Sequence, residues 1–187
     1  LVEGKDDQSV IWGLAAKFNL TENYDVIDCG NYERVIESLP VRIKSSNVKV
    51  IGIIVDADDN LANKWESIKQ SLSKLDYQLP AKIPIDGLII ANSKLFDVKV
   101  GVWIMPNNNI SGKIEDFIKF LIPEKDCLSG IAENTLQNIE TKNLNKYKPK
   151  DKAKAFIHTW LAWQEKPGNR MGTAITANYF NLDVEEC

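Results

Sequence analysis

The sequence predicts an α/β protein: an open, largely parallel sheet flanked by helices, followed by a helical C-terminal appendage. Three observations carry this expectation. Short apolar runs alternate with amphipathic helical patterns through the first two-thirds of the chain, the signature of strand–helix alternation. Residues 48–55 read VKVIGIIV, a nearly continuous β-branched run of the kind buried on both faces of a parallel sheet. After Pro123 the strand signals stop and only helical periodicity continues. This sets an expected division into an α/β domain, 1–123, and a helical extension, 124–187, packed on the same core.

In chain order, Leu1-Val2 reads as the end of a strand begun upstream. A helix follows over 7–18, with Val10, Ile11, Leu14 and Phe18 on one face. Residues 24–28 read as a short strand and 32–43 as a helix broken near Pro40. The apolar run 48–55 is the central strand. Residues 61–75 form a helix with Leu61, Trp65, Ile68, Leu72 and Leu75 at helical spacing. Residues 87–91 and 98–105 are further strands, the second ending at Pro106. A helix over 114–122 follows, then helices over 124–146 and 151–165, the last with Phe156, Ile157, Trp160 and Leu161 on its stripe. Trp12, Trp65, Trp103 and Trp160 read as packing residues, while Trp163 and His158 fall off their helix's stripe.

Composition narrows the chemistry. With 44% hydrophobic and 26% charged residues in 187, the chain has the balance of a folded domain rather than a disordered one. Its apolar runs are too short to cross a bilayer. Three widely spaced cysteines make neither a disulfide framework nor a zinc ribbon and point to reduced thiols in a cytoplasmic protein. His158 is the single histidine, which excludes His-rich zinc sites. Metal chemistry must then rest on carboxylates, hence on hard ions such as magnesium or manganese.

Charge is unevenly placed. Residues 1–60 hold eleven acidic and six basic side chains, whereas 142–154 holds six lysines against one acid, Asp151. A solvated lysine loop and a polyanion-binding surface are both consistent with that run.

In open α/β sheets the active site lies beyond the carboxyl ends of the strands. Three acidic clusters fall there: Glu3-Gly4-Lys5-Asp6-Asp7, Asp56-Ala57-Asp58-Asp59 and Gly112-Lys113-Ile114-Glu115-Asp116. Gly4 permits a tight strand-to-helix turn. Asp56 and Asp58, two residues apart, reach one cavity if the strand stays extended. So many carboxylates in one crevice repel unless cations neutralise them. Taken singly, each cluster also serves to cap or to complement a helix N-terminus.

The order Glu-Gly-x-x-Asp, then Asp-x-Asp after a central apolar strand, then a later Glu opening a helix resembles the Toprim domain. That domain is shared by topoisomerases, bacterial primases, ribosomal-RNA-maturing ribonucleases, recombination mediators and the overcoming-lysogenization-defect nucleases. The segment from Gly101 to Pro106 with Gly112–Phe117 and the Lys-rich helical tail is similar to a small stand-alone prokaryotic Toprim-type family of uncharacterised function. The closer resemblance covers most of the chain.

The resemblance implies Glu3 as general acid or base, Asp56 and Asp58 as magnesium or manganese ligands, Asp7 at a second ion, and Glu115 as a further ligand. It implies phosphodiester cleavage or related phosphoryl transfer on nucleic acid. A catalytically silent metal- or phosphate-binding module working with a partner protein is the alternative. Lys148, Lys150, Lys152 and Lys154, with Arg170, are the expected nucleic-acid-binding residues. No Gly-x-x-x-x-Gly-Lys-Ser/Thr loop is present, so the chain carries no P-loop ATPase signature. Asn107–Ser111 reads equally as a mobile rim to the site or as a simple turn.

Overall fold

The computed structural model describes residues 1–90 and 93–183. They form α1 (Lys5–Lys17), α2 (Tyr32–Ile43), β1 (Val50–Asp56), α3 (Leu61–Ser73), β2 (Leu88–Ile90), β3 (Lys99–Met105), α4 (Ile114–Phe120), α5 (Cys127–Thr141), a 3-10 turn at Pro149–Asp151, α6 (Lys152–Ala162) and α7 (Met171–Thr176). Ala91, expected to end the β2 strand, and Cys187, expected as a reduced thiol, lie outside the described residues. By compactness the chain divides into two units, Leu1–Gln8 with Asn23–Ile114, and Ser9–Glu22 with Glu115–Cys187. The expected division at 123 followed element type, strands before it and helices after.

The first unit holds the sheet, which among the described residues has three strands in the order β1-β3-β2. β1 and β3 are parallel, Val50 opposite Lys99 through Asp56 opposite Met105. β2 runs antiparallel to β3, so the sheet is mixed rather than largely parallel. The reason is length: only residues 91–98 join β2 to β3, and a parallel return needs a crossover of a dozen or more. On the other side of β1 the ladder continues without a regular strand. The Ile54 amide donates to the Leu1 carbonyl at 3.0 Å, and Val2 pairs in parallel with Asp28. The expected strand at 24–28 is thus reduced to this bridge.

One face of β1 is buried, with Ile51, Ile53 and Val55 in a core completed by Val35, Leu39 and Ile43 of α2 and Trp65, Ile68 and Leu72 of α3. The expectation of burial on both faces fails at Val50 and Gly52, which are exposed. Gly52 stands opposite Gly101 on β3, and nothing lies within 4 Å of where its Cβ would be. Nor does Pro40 break α2. It sits in the last turn, where its fixed φ suits the helix and one missing N–H costs one bond. The Asn31 side chain caps α2 and Asn60 caps α3, each accepting an amide three residues on.

The second unit is helical. α5 packs on α6, burying Ala132 and Leu136 with Phe156, Ile157, Trp160 and Leu161. Asp126 has two uses there: its Oδ1 accepts the Ser129 amide at 2.6 Å, capping α5, and the Trp160 indole N–H at 2.9 Å. Trp160 in turn stacks on Phe180, 5.1 Å between centroids. The apolar face of α1 differs from the expected one: Val10, Gly13 and Ala15 are buried, while Trp12 and Phe18 are exposed. The cause is close backbone packing. A Cβ on Gly13 would stand 2.8 Å from Gly172 Cα in α7, so the helix face with the smallest side chain, not the greasiest, goes inward. Among the described residues no helix is long and apolar enough to cross a membrane.

Candidate functional site

The acidic residues meet where the chain leaves β1. Glu3 follows the Leu1–Val2 segment beside β1, and its Oε1 accepts the Asp56 amide at 2.9 Å, a bond between residues 53 apart. Asp56 ends β1 and its Oδ1 accepts the Ile114 amide at 2.9 Å, capping the start of α4. Asp58 is held differently from the expectation. The chain does not stay extended to it: Asp58 is left-handed, φ +50°. Two reciprocal backbone bonds to Gly112, both 2.9 Å, keep it there. Aspartate tolerates that conformation better than most residues, and Gly112, at φ +144°, occupies a region nearly reserved for glycine.

Two lysines that the sequence reading passed over complete the cluster. Lys64 Nζ lies 2.7 Å from Asp58 Oδ2 and 4.0 Å from Glu3 Oε1, with side chains of Lys64 and Glu3 only 16% and 19% exposed. It also sits 4.0 Å from the centroid of the Tyr32 ring, a favourable place for a cation. Lys113 Nζ is 3.6 Å from Asp58 Oδ1. The available signal was position: both lysines stand at helix starts, where the macrodipole disfavours positive charge. Side chains in a first turn also lean back toward the N-terminus, here toward the acidic loop.

Burial pushes the Glu3 carboxyl above its ordinary value, more than the Asp56 amide and Lys64 pull it down. Burial alone would lower the Lys64 ammonium, but its bond to Asp58 and the attraction of Glu3 outweigh that and leave it raised. Asp7, in the first turn of α1, is buried. A Cβ on Gly4 would stand 3.4 Å from its Oδ2, an ordinary contact distance.

The other expected site residues belong to the second unit. Glu115 is buried in the second unit and pairs with Lys154 at 3.5 Å. Lys152 pairs with Glu140 at 2.7 Å. Lys148 precedes the 3-10 turn and Arg170 precedes α7. Lys150 and Lys152 line a cleft of about 280 Å³ with Lys119, Asp116, Glu133 and Phe156. The basic run is therefore partly neutralised by acids distant in sequence. His158 and Trp163 are exposed, as their off-stripe positions predicted.

The 107–111 loop is anchored rather than a loose rim. Asn108 is buried, accepts the Ile104 amide at 2.7 Å and donates to the Ile85 carbonyl at 3.1 Å. Ser111 Oγ donates to the Asp59 carbonyl. Asn108→Ala should cost about 1–3 kcal/mol, because it strands both backbone groups. Denaturant unfolding would show it, and an unchanged midpoint would contradict the anchoring role.

The sequence matches the family described as Protein of unknown function (DUF3226) across residues 1–187. The chain belongs to the DUF3226 family. No curated protein and no solved structure matches it. The DUF3226 chain thus combines a carboxylate trio, Glu3, Asp56 and Asp58, with two lysines bearing on Asp58. Their oxygen donors are the right chemistry for magnesium or manganese. As they stand, no three acidic, Cys or His side chains among the described residues are arranged to hold an ion; lysine ammonium groups provide the balancing charge.

Proposed function

We propose that this protein is a Toprim-type, magnesium- or manganese-dependent enzyme acting on nucleic acid, most simply a phosphodiester-cleaving nuclease. The observation that carries the reading is the Glu3–Asp56 bond. It unites the glutamate of the first motif with the Asp-x-Asp of the second at the carboxyl end of a parallel strand. In this reading Asp56 and Asp58 hold the ion, largely through water, since magnesium sheds its hydration shell reluctantly; Asp7 serves a second. Two such ions would suit phosphodiester hydrolysis, stabilising both the attacking and the leaving oxygens. Glu3 moves the proton. Its Oε1 is engaged as an acceptor by the Asp56 amide, which leaves Oε2 as the oxygen that carries the proton.

The metal part is tested by manganese titration followed by thermal unfolding. Asp58→Asn is the informative variant, because asparagine also tolerates a left-handed backbone while its charge is gone. Manganese should stabilise the parent and leave Asp58→Asn unmoved; equal stabilisation of both would count against the site.

A second reading, a catalytically silent module serving a partner protein, is favoured by the lysine pairing of Asp58. The Glu3→Gln variant separates the two. In the enzyme it abolishes cleavage and spares binding; in the module neither form cleaves and both bind alike.

For nucleic acid, the lysines of the second unit supply the phosphate contacts. Each contact should add about 0.9 to the slope of log affinity against log salt on duplex DNA. Replacing Lys148, Lys150, Lys152 and Lys154 by glutamine should weaken binding and flatten that slope. Binding as tight as the parent's across a salt series would make these lysines a solvated face.

A further inference from the structure

We propose that the cleft between α4, α5 and the start of α6 takes one nucleotide, free or as a unit of a single strand, with its phosphate at Lys150 and its base on the apolar floor. The inference deepens the nucleic-acid reading above by naming the unit that these lysines recognise, and it needs neither a metal nor cleavage. The cleft lies wholly within the second unit. Its volume of about 280 Å³ is just below the ~300–1,000 Å³ usual for small-molecule pockets, which suits a single nucleotide and excludes a dinucleotide.

The three lysines that line it are not equivalent. Lys119 pairs with Glu133 at 3.2 Å and lies over the Phe156 ring, 4.7 Å from its centroid. Lys152 pairs with Glu140 at 2.7 Å. Lys150 makes no ion pair among the described residues, so its charge is the one available to an incoming anion. No side chain caps α6 at Asp151, and Lys152 and Ala153 of its first turn line the cleft. The positive end of the helix dipole adds to the attraction for a phosphate there.

The remaining lining restricts the rest of the ligand. Asp116 and Glu133 repel a bare anion but accept hydrogen bonds from hydroxyl or amino groups. Leu136, Ala153 and Phe156 offer an apolar surface to a flat ring. A ligand that satisfies all three regions has one anionic end, hydrogen-bond donors and an apolar planar body. A nucleotide has them in its phosphate, its ribose hydroxyls and its base. Bases of a duplex are stacked and paired, so the ring can enter only from a free nucleotide or an unpaired strand.

The experiment is titration of adenosine monophosphate, adenosine, ribose 5-phosphate and inorganic phosphate into the full chain, followed by ligand-observed NMR. Adenosine monophosphate should bind about tenfold or more tighter than each of the others, the scale of one lost charged contact or one lost buried ring. Lys150→Gln should weaken it by about tenfold. Ala153→Leu, which fills the cleft with a good helix former, should abolish it. Lys146→Gln, in the same basic run but outside the lining, should match the parent. Circular dichroism verifies each fold, and Lys150, being exposed, keeps the test valid if Ala153→Leu misfolds.

Ribose 5-phosphate or phosphate binding as tightly as the nucleotide overturns the place of the base, and adenosine binding as tightly overturns the Lys150 contact. Unchanged affinity in both Lys150→Gln and Ala153→Leu overturns the site. A short single-stranded oligoadenylate separates the two sources. If it displaces the nucleotide, the unit belongs to a strand; if it does not, the ligand is the free nucleotide. Oligoadenylate bound equally by parent and Ala153→Leu, with no mononucleotide bound, overturns the cleft and leaves the nucleic-acid reading standing. Neither ligand bound overturns both.

Discussion

Gly172→Ala should be among the most damaging single methyl additions in the chain. Its Cβ would fall far inside the van der Waals contact distance of the Ser9 carbonyl oxygen and 2.6 Å from Ser9 Oγ. Both the obstacle and the glycine are helix backbone, so no flexible side chain can give way. The helices α1 and α7 would have to part, uncovering Met171, Ala174 and Ile175, which are buried. Overpacking typically costs 1–3 kcal/mol and more where nothing yields, so about 3 kcal/mol or more is expected. At this chain length that lowers Tm by roughly 6–12 °C. Gly168→Ala is the control: Gly168 has φ +84° but open space around its Cβ. It should lose only the left-handed backbone penalty, about 1–2 kcal/mol. Equal losses at both positions would mean that α7 does not need its close approach.

Glu3→Gln should remove most of the activity proposed above. General acid–base catalysis contributes 10²–10⁴-fold, so a rate loss of about 10³-fold with nucleic-acid affinity retained is expected in a manganese-dependent cleavage assay. Loss of binding in step with rate would instead assign Glu3 to structure, through the Asp56 amide. Glutamine can keep accepting that amide with its Oε1, so the fold should survive.

The same variant carries a pH signature. Burial raises Glu3 above its ordinary value of 4.5, so the folded state holds this proton to higher pH than the unfolded chain. Its contribution to stability is complete below about 4.5 and is lost as pH rises through the folded value. Glu3→Gln lacks that loss. Its stability should therefore fall less than the parent's as pH rises from 4.5 toward neutrality, and parallel pH profiles would show that Glu3 is not perturbed.

Much of this was legible in the residues. The central strand showed in its β-branched run, α3 in Trp65, Ile68 and Leu72 at helical spacing, and the acidic clusters in their place just after apolar segments. Those are local properties: side-chain periodicity and backbone preference act within a turn or a strand. The convergence of Glu3 on Asp56 was also anticipated, because adjacent strands deliver their carboxyl ends to one edge.

What lay beyond the sequence was decided by partners far away along the chain. The left-handed turn at Asp58 exists because Gly112 bonds it from both sides, and no local pattern announces that. The buried face of α1 does not follow its hydrophobic stripe, because a glycine pair, Gly13 and Gly172, sets how closely two helices approach. Lys64 reads as an ordinary surface lysine until Tyr32, Glu3 and Asp58 surround it. Local periodicity specifies which elements form and which side each prefers to bury. Charge balance and backbone clearance depend on atoms brought together only when the chain closes on itself, so the tertiary structure alone decides them.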